Sequence, residues 1–316
     1  MMIVMPVMLL VVFGYAASFD VGSIQVSVTG PQADRVAGML PEPFEAVEVT
    51  RAPTEALRYN QADVAIVTQE AEATAYVDGS ELFTARAAVQ GLTAAIGQGA
   101  PMTVEVLFNQ GLETSAVLVP GLAGLILIFI GSLITSLGVV RERQAGTLEQ
   151  LAVMPLGARD VFVGKIAPYF VVAAVDLVIV LGVGAVLFDV PFRGSFWLMG
   201  AGSLLFLFVT LGIGVLISTV SENQGQAIQL AIMTLLPQVL LSGLIFPLES
   251  MAAGVRWIGY LLPLTYFNQL ARGVMLKDAP LEALLLPLGL LAALGVVVFG
   301  LAVLRFRANL APGEAT

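Results

Sequence analysis

The sequence predicts an α-helical integral membrane protein with six transmembrane helices and a small α/β extracytoplasmic domain between helices 1 and 2. Three observations carry that expectation. Apolar residues make up 58% of the 316 residues and charged residues only 12%, against roughly 25% charged in a soluble domain. The apolar residues fall into long runs with almost no charge, and a helix needs roughly 20 such residues to cross a hydrocarbon core about 30 Å thick. The net charge of -9 is also local: Asp20 to Ser115 holds 13 acidic residues and four arginines, whereas the rest holds ten acids and ten bases. A segment that carries all the excess charge reads as a solvated unit of its own.

The runs set the spans. Met1–Ala17 opens the chain, short but uniformly apolar. Ser115–Val140, Phe196–Val220, Gln226–Leu248 and Ala283–Leu304 carry no charge, and Ile166–Phe188 carries only Asp176. The opening run also resembles a secretory signal, with "YAAS" as its cleavage site, but it lacks a positive start. Five remaining spans would moreover leave the two ends on opposite sides. Trp257–Ala271 is uncharged but interrupted by Pro263. Irregular backbone at membrane depth needs partners for its polar groups, so this stretch reads as a re-entrant or interfacial pair of short helices within 249–276. The resulting division is a first span over 1–17, the acidic domain over 18–114 and a five-helix core over 115–310.

Orientation follows from the cations in short loops. Arg141, Arg143, Arg159 and Lys165 follow the second span, and Arg305 and Arg307 follow the last. Placing both clusters on the cytoplasmic side leaves the acidic domain outside, with Arg193, Arg256, Arg272 and Lys277 on its side. Within the domain, "IQVSVTG", "FEAVEVT", "ADVAIVT", "ATAYVDG" and "MTVEVLFNQ" read as strands, while "PQADRVAGML", "PTEALRYN" and "ELFTARAAVQGLTAAI" read as helices.

Composition also excludes chemistry. Cysteine and histidine are both absent, which removes disulfides, thiolate or imidazole metal sites and Ser-His-Asp catalysis. No basic surface offers itself to nucleic acid. "GARDVFVGKI", Gly157 to Ile166, has six residues between its glycines and Ile after Lys165. The phosphate loop needs four residues there and a Ser or Thr after the Lys, so no cofactor is expected on this chain.

Three features attract a role. "VRERQAGTLEQLAVMP", Val140 to Pro155, is a polar island between spans. It reads as a solvated loop with positive anchors, or as a short helix after Gly146, with Thr147 as N-cap, that docks in a partner's groove. Asp176 lies mid-span, where a carboxylate marks either a transport path or proton site, or a polar contact between helices; Gln229 and Gln238 pose the same choice. "SGLIFP", Ser242 to Pro247, breaks the fifth span.

"RERQAGTLEQLAVMPLGARDVFVGK" closely resembles the cytoplasmic signature of the type-2 ABC transporter permeases, the membrane subunits of bacterial ATP-driven exporters. "LVPGLAGLILIF", "LSGLIFPLESM" and "PLTYFNQLARGVMLK" continue the resemblance in order, and "FGYAASFDV" with "AYVDGSELFTA" resembles the family's first span and external domain. The resemblance implies a multi-pass protein of the bacterial inner membrane that pairs with a second permease subunit and with ABC ATPase subunits, which bind ATP and Mg. It implies that 141–160 holds a coupling helix, with Arg141, Glu142, Arg143, Gly146, Thr147, Leu148, Glu149 and Leu151 facing the ATPase. It also implies an outer gate containing Ser242, Gly243, Phe246, Pro247 and Tyr266, with Asp176 as a candidate for the path. The work implied is export of a hydrophobic or amphipathic substrate, such as a drug or lipid. Family members carry a basic segment and an interfacial helix ahead of the first span, whereas Met1 here lies inside the apolar run; a start assigned too late or loss of that element would each account for this. Two other classes compete. An ion-coupled secondary transporter using Asp176 would predict internal repeats, and the sequence shows none. A membrane-anchored sensor or scaffold would not need the "GTLEQL" island.

Overall fold

The structure, a computed structural model, describes residue 14 and residues 22–69, 72–97, 102–146 and 158–310. Strands β1 (Ile24–Thr29), β2 (Phe44–Ala46), β3 (Val64–Thr68), β4 (Ala73–Asp78) and β5 (Met102–Leu107) form one sheet in the order β2-β1-β3-β4-β5. All neighbours are parallel except β3 and β4, which run antiparallel with Val64 opposite Val77. Three consecutive residues of β3, Val64, Ala65 and Ile66, are buried, as expected for a strand covered on both faces. One face packs on α3 (Leu82–Gly97) through Ala85, Ala88 and Leu92, a stripe at helical spacing.

Two elements of this unit are shorter than the sequence suggests. The helix expected over "PQADRVAGML" is only α1 (Ala33–Ala37), which buries no residue; so short a helix gains too little packing to offset the cost of nucleating more turns. The strand expected over "FEAVEVT" ends at Ala46, and Val47 and Val49 turn to pack on the far side of the sheet. There they join Leu57 of α2 (Pro53–Arg58), Ala65 and Phe108 in a second core. That core also contains Ala116, Val117 and Leu276 of the helical part. Sheet and bundle therefore share buried apolar surface.

The bundle comprises α4 (Thr114–Gln144), α5 (Ala158–Leu187), α6 (Phe196–Val220), α7 (Gln224–Leu241), α8 (Ala253–Gly259), α9 (Pro263–Met275) and α10 (Leu281–Leu310). Among the described residues four helices are long and apolar enough to cross a membrane: Thr114–Gln144, Ala167–Leu187, Phe196–Val220 and Leu281–Arg305. They correspond to four of the six expected runs. The opening run, Gly14 excepted, lies outside the described residues. The fifth run needs correction, because α7 stops at Leu241 rather than Leu248. Gly243 has φ +77°, a left-handed geometry glycine adopts readily at helix ends, and the chain turns there. With 18 residues, α7 spans about 27 Å at ~1.5 Å per residue, slightly under a hydrocarbon core.

Helix α6 is central. About 61% of its apolar window is buried, against 17% for α5 and 22% for α10. Its Phe206 stacks on Phe267 of α9 with ring centroids 4.4 Å apart. Small residues let α4 and α6 approach closely: a Cβ on Gly214 would sit 2.7 Å from the Ser132 carbonyl oxygen, the close backbone contact that packs helices in lipid.

Candidate functional site

The basic end of α4 comes first. Arg141, Glu142 and Arg143 are not in a loop; they form the last turn of α4, which closes at Ala145 with Gly146 at φ +73°. Arg143 donates to the Ser218 carbonyl at 3.3 Å and also to the Ser221 carbonyl. These carbonyls stand at the C-terminal end of α6, where helices lack intrahelical partners and a cation meets the negative end of the helix dipole. The loop "SENQG" is thereby drawn in. Gln224 donates to the Gln144 side chain at 3.1 Å, and Asn223 caps α7 by accepting from the Gln226 amide at 2.9 Å. Arg143 is therefore a strut between α4 and α6, while Arg141 is exposed. Thr147, Leu148, Glu149 and Leu151, with the short helix expected there, lie outside the described residues.

Asp176 is half-buried on α5 beside Gly131 and Thr135 of α4 and Tyr169 of its own helix. The crevice they share holds about 10 Å³, at the lower limit for one water. The Thr135 hydroxyl is buried without a hydrogen-bond partner among the described residues. The geometry brings a polar side chain, Thr135, into the same crevice as Asp176. Gln238 is buried, and its side-chain oxygen accepts from the Leu264 amide at 3.3 Å, at the start of α9. Gln229 is exposed on α7.

The candidate gate is held by several polar contacts between α7, α8 and α9. Ser242 ends α7, and its carbonyl accepts from Asn268 at 3.5 Å. The next carbonyl, Gly243, accepts from Arg272 at 3.1 Å. Phe246 packs in a small apolar cluster with Leu240, Leu241, Leu248 and Met251, and Pro247 starts the 3-10 turn Leu248–Ser250. The pair of short helices expected over Trp257–Ala271 is α8 and α9. Their junction satisfies its own backbone: Thr265 donates to the Gly259 carbonyl at 2.6 Å and Tyr266 to the Tyr260 carbonyl. Such internal pairing is what irregular backbone requires when lipid or protein surrounds it.

Sequence reasoning did not anticipate the residues that tie this gate to the sheet unit. Arg272 donates from its other guanidinium nitrogen to Glu81 at 2.8 Å. Lys277 donates to Asp78, to Asn60 and, at 3.1 Å, to the Leu57 carbonyl, and both members of the Lys277–Asp78 pair are almost fully buried. Tyr59 donates to Glu282 of α10 at 3.1 Å. The available signal was charge: Arg272 and Lys277 stand close together in an apolar C-terminal half, and the acidic excess lies in the segment that meets them. Between the sheet unit and the 247–250 turn lies a polar cavity of about 240 Å³, lined by Asp63, Asp78, Glu81 and Glu249 among others. Burial pushes the Asp63 carboxyl from 3.8 up to about 7, against the pull of the Gln25 amide that it accepts from, with Glu81, Asp78 and Glu249 adding to the rise. Among the described residues no acidic group is arranged to hold a metal ion.

The chain's likeness to known proteins covers all these regions. The family model described as ABC-2 family transporter protein matches residues 1–304. The probable multidrug ABC transporter permease YbhS of Escherichia coli (strain K12) is 30% identical over 345 aligned positions, which cover 98% of this chain and 91% of that one. The probable multidrug ABC transporter permease YbhR of the same organism is 33% identical over 181 positions, 57% of this chain and 49% of its own. ABC transporter G family member 20 of Dictyostelium discoideum is 28% identical over 165 positions, 52% of this chain and 23% of its own. With four membrane-length helices among its described residues and a family match over residues 1–304, the chain belongs to the ABC-2 family of transporter proteins.

Proposed function

We propose that this chain is the permease subunit of an ATP-driven exporter in the bacterial inner membrane, and that it moves a hydrophobic or amphipathic substrate, such as a drug or lipid, outward. The observation that carries the reading is the near full-length likeness to a permease named as a probable multidrug ABC transporter component. ATP and Mg would be bound by a separate ATPase subunit, since "GARDVFVGKI" lacks the spacing that cradles phosphate. A second permease subunit, identical or not, completes the pathway.

The two ends of the bundle support the orientation. Helices α4 and α10 both start beside the sheet unit and end in cations, Arg141 and Arg143 on α4 and Arg305 on α10. Cations gather on the cytoplasmic side, which leaves the sheet unit and the gate outside. The Arg143 strut holds the end of α4 on α6, so force delivered to the segment after Gly146 reaches the central helix.

The test is a pull-down of the co-expressed ATPase from detergent extracts. Leu148 and Leu151, three residues apart, would share one helical face. Leu148→Ala should weaken docking by on the order of 2 kcal/mol and Glu149→Arg by no more than that, with membrane insertion unchanged. Normal ATPase recovery from the double variant would leave the island a solvated loop and remove the coupling role.

A further inference from the structure

Two ion pairs join the gate segment to the sheet unit, and they differ in kind. The Lys277–Asp78 pair leaves its side chains 3% and 4% exposed, and Lys277 also holds Asn60 and the Leu57 carbonyl. Its neighbour Leu276 is fully buried beside Leu57, Phe108 and Val117. Separating such a pair leaves two almost fully buried charges without each other. The Arg272–Glu81 pair leaves its side chains 11% and 39% exposed. Glu81 meets water, so this pair can part at little cost.

We infer that Arg272 is a positioning residue of the gate, latching the Gly243 turn to Glu81 of the sheet unit, and that this latch parts when the gate opens while Lys277–Asp78 stays closed as the anchor. The inference rests on the exporter reading above for the word gate, and on geometry for the latch. One planar guanidinium serves both sides, donating to Glu81 at 2.8 Å and to the Gly243 carbonyl at 3.1 Å. A lysine ammonium is a point charge on a flexible stem and lacks this fork. The adjoining polar cavity of about 240 Å³ is lined by Glu81 and by Pro247, Glu249 and Ser250 of the segment that follows the turn. Asp78 and Asn60 line this cavity as well, so what sets the two pairs apart is exposure: Glu81 is 39% exposed and Asp78 only 4%.

The test uses the absence of cysteine. Ser242 is buried at the turn and its hydroxyl has no partner among the described residues, so Ser242→Cys introduces one nearly isosteric thiol. Its rate of reaction with a membrane-impermeant maleimide, in the full chain in proteoliposomes, reports opening of the turn. Added Glu81→Ala or Arg272→Lys should raise that rate about five-fold, the equivalent of about 1 kcal/mol. A thiol placed instead at Ala56, buried in α2, should react at an unchanged rate. Unchanged labelling at Ser242→Cys would overturn the latch, and an equal rise at Ala56→Cys would overturn it in favour of general loosening. Co-purification of the ATPase is scored on separate samples. Its loss from the parent would remove the exporter reading and leave the latch to be judged by labelling alone.

Discussion

The two ends of the helical bundle use the same residue types in opposite ways. At the end of α4, Arg143 serves backbone, donating to the Ser218 and Ser221 carbonyls at the end of α6. At the sheet end, Arg272 and Lys277 meet carboxylates brought in by another unit, and Lys277 is buried in doing so. A cation at a helix terminus is partly solvated and stabilises modestly, whereas a buried pair is neutral in net terms but costly to break. Counting cations by loop treats both ends alike. Their energetic meaning comes from what each one faces.

The largest expected effect breaks the sheet end. Lys277→Met leaves Asp78 buried with the Ser80 amide as its remaining described donor, and should destabilise by about 3–5 kcal/mol. Thermal unfolding in detergent would show this as a markedly lower midpoint, and Lys277→Met with Asp78→Asn should recover part of the loss. Full additivity of the two changes would mean the pair is not coupled.

A second change sharpens the same end through pH. The Asp63 carboxyl, raised from 3.8 to about 7, favours its protonated form in the folded chain. Its contribution is present below about pH 4 and is lost as pH rises towards 7. Asp63→Asn should flatten that part of the stability profile and stabilise the chain at pH 8 by about 2 kcal/mol, roughly half of what the full rise would give at ~1.36 kcal/mol per pH unit. Unfolding midpoints measured from pH 4.5 to pH 8 would check it; parallel profiles for parent and variant would count against a titrating Asp63.

The smallest effect is expected at the other end. Arg143→Ala removes a charged donor from two carbonyls and should cost about 1–2 kcal/mol, whereas Arg141→Ala, at an exposed position, should stay within about 0.5 kcal/mol. The comparison also separates strut from docking surface. If Arg141→Ala reduced ATPase recovery while Arg143→Ala did not, the strut would have no part in coupling.

Much of the fold was legible because its causes are local. All five strands and α3 were readable from alternation and helical spacing, and four spans from length with almost no charge. The failures were local too: α1 and β2 are short because one buries nothing and the other turns away after Ala46 to cover the opposite face. Of the candidate site, the break at the end of α7 was legible from Ser242, Gly243 and Pro247, and the RER triplet from its charge. That the triplet continues α4 was not, since the helix keeps its last turn through the Arg143 contacts with α6.

The sequence by itself determined that this protein lives in a membrane, where its long apolar helices run, and where the strands of its acidic segment lie. Those properties depend on composition and periodicity within windows of ten to thirty residues. Only the tertiary structure decided which charges meet. Lys277 and Asp78 are 199 residues apart in the chain, Arg272 and Glu81 are 191 apart, and Arg143 reaches a carbonyl 75 positions on. No local pattern encodes such partners, because each pairing exists only where packing has brought two distant surfaces together and removed the water between them.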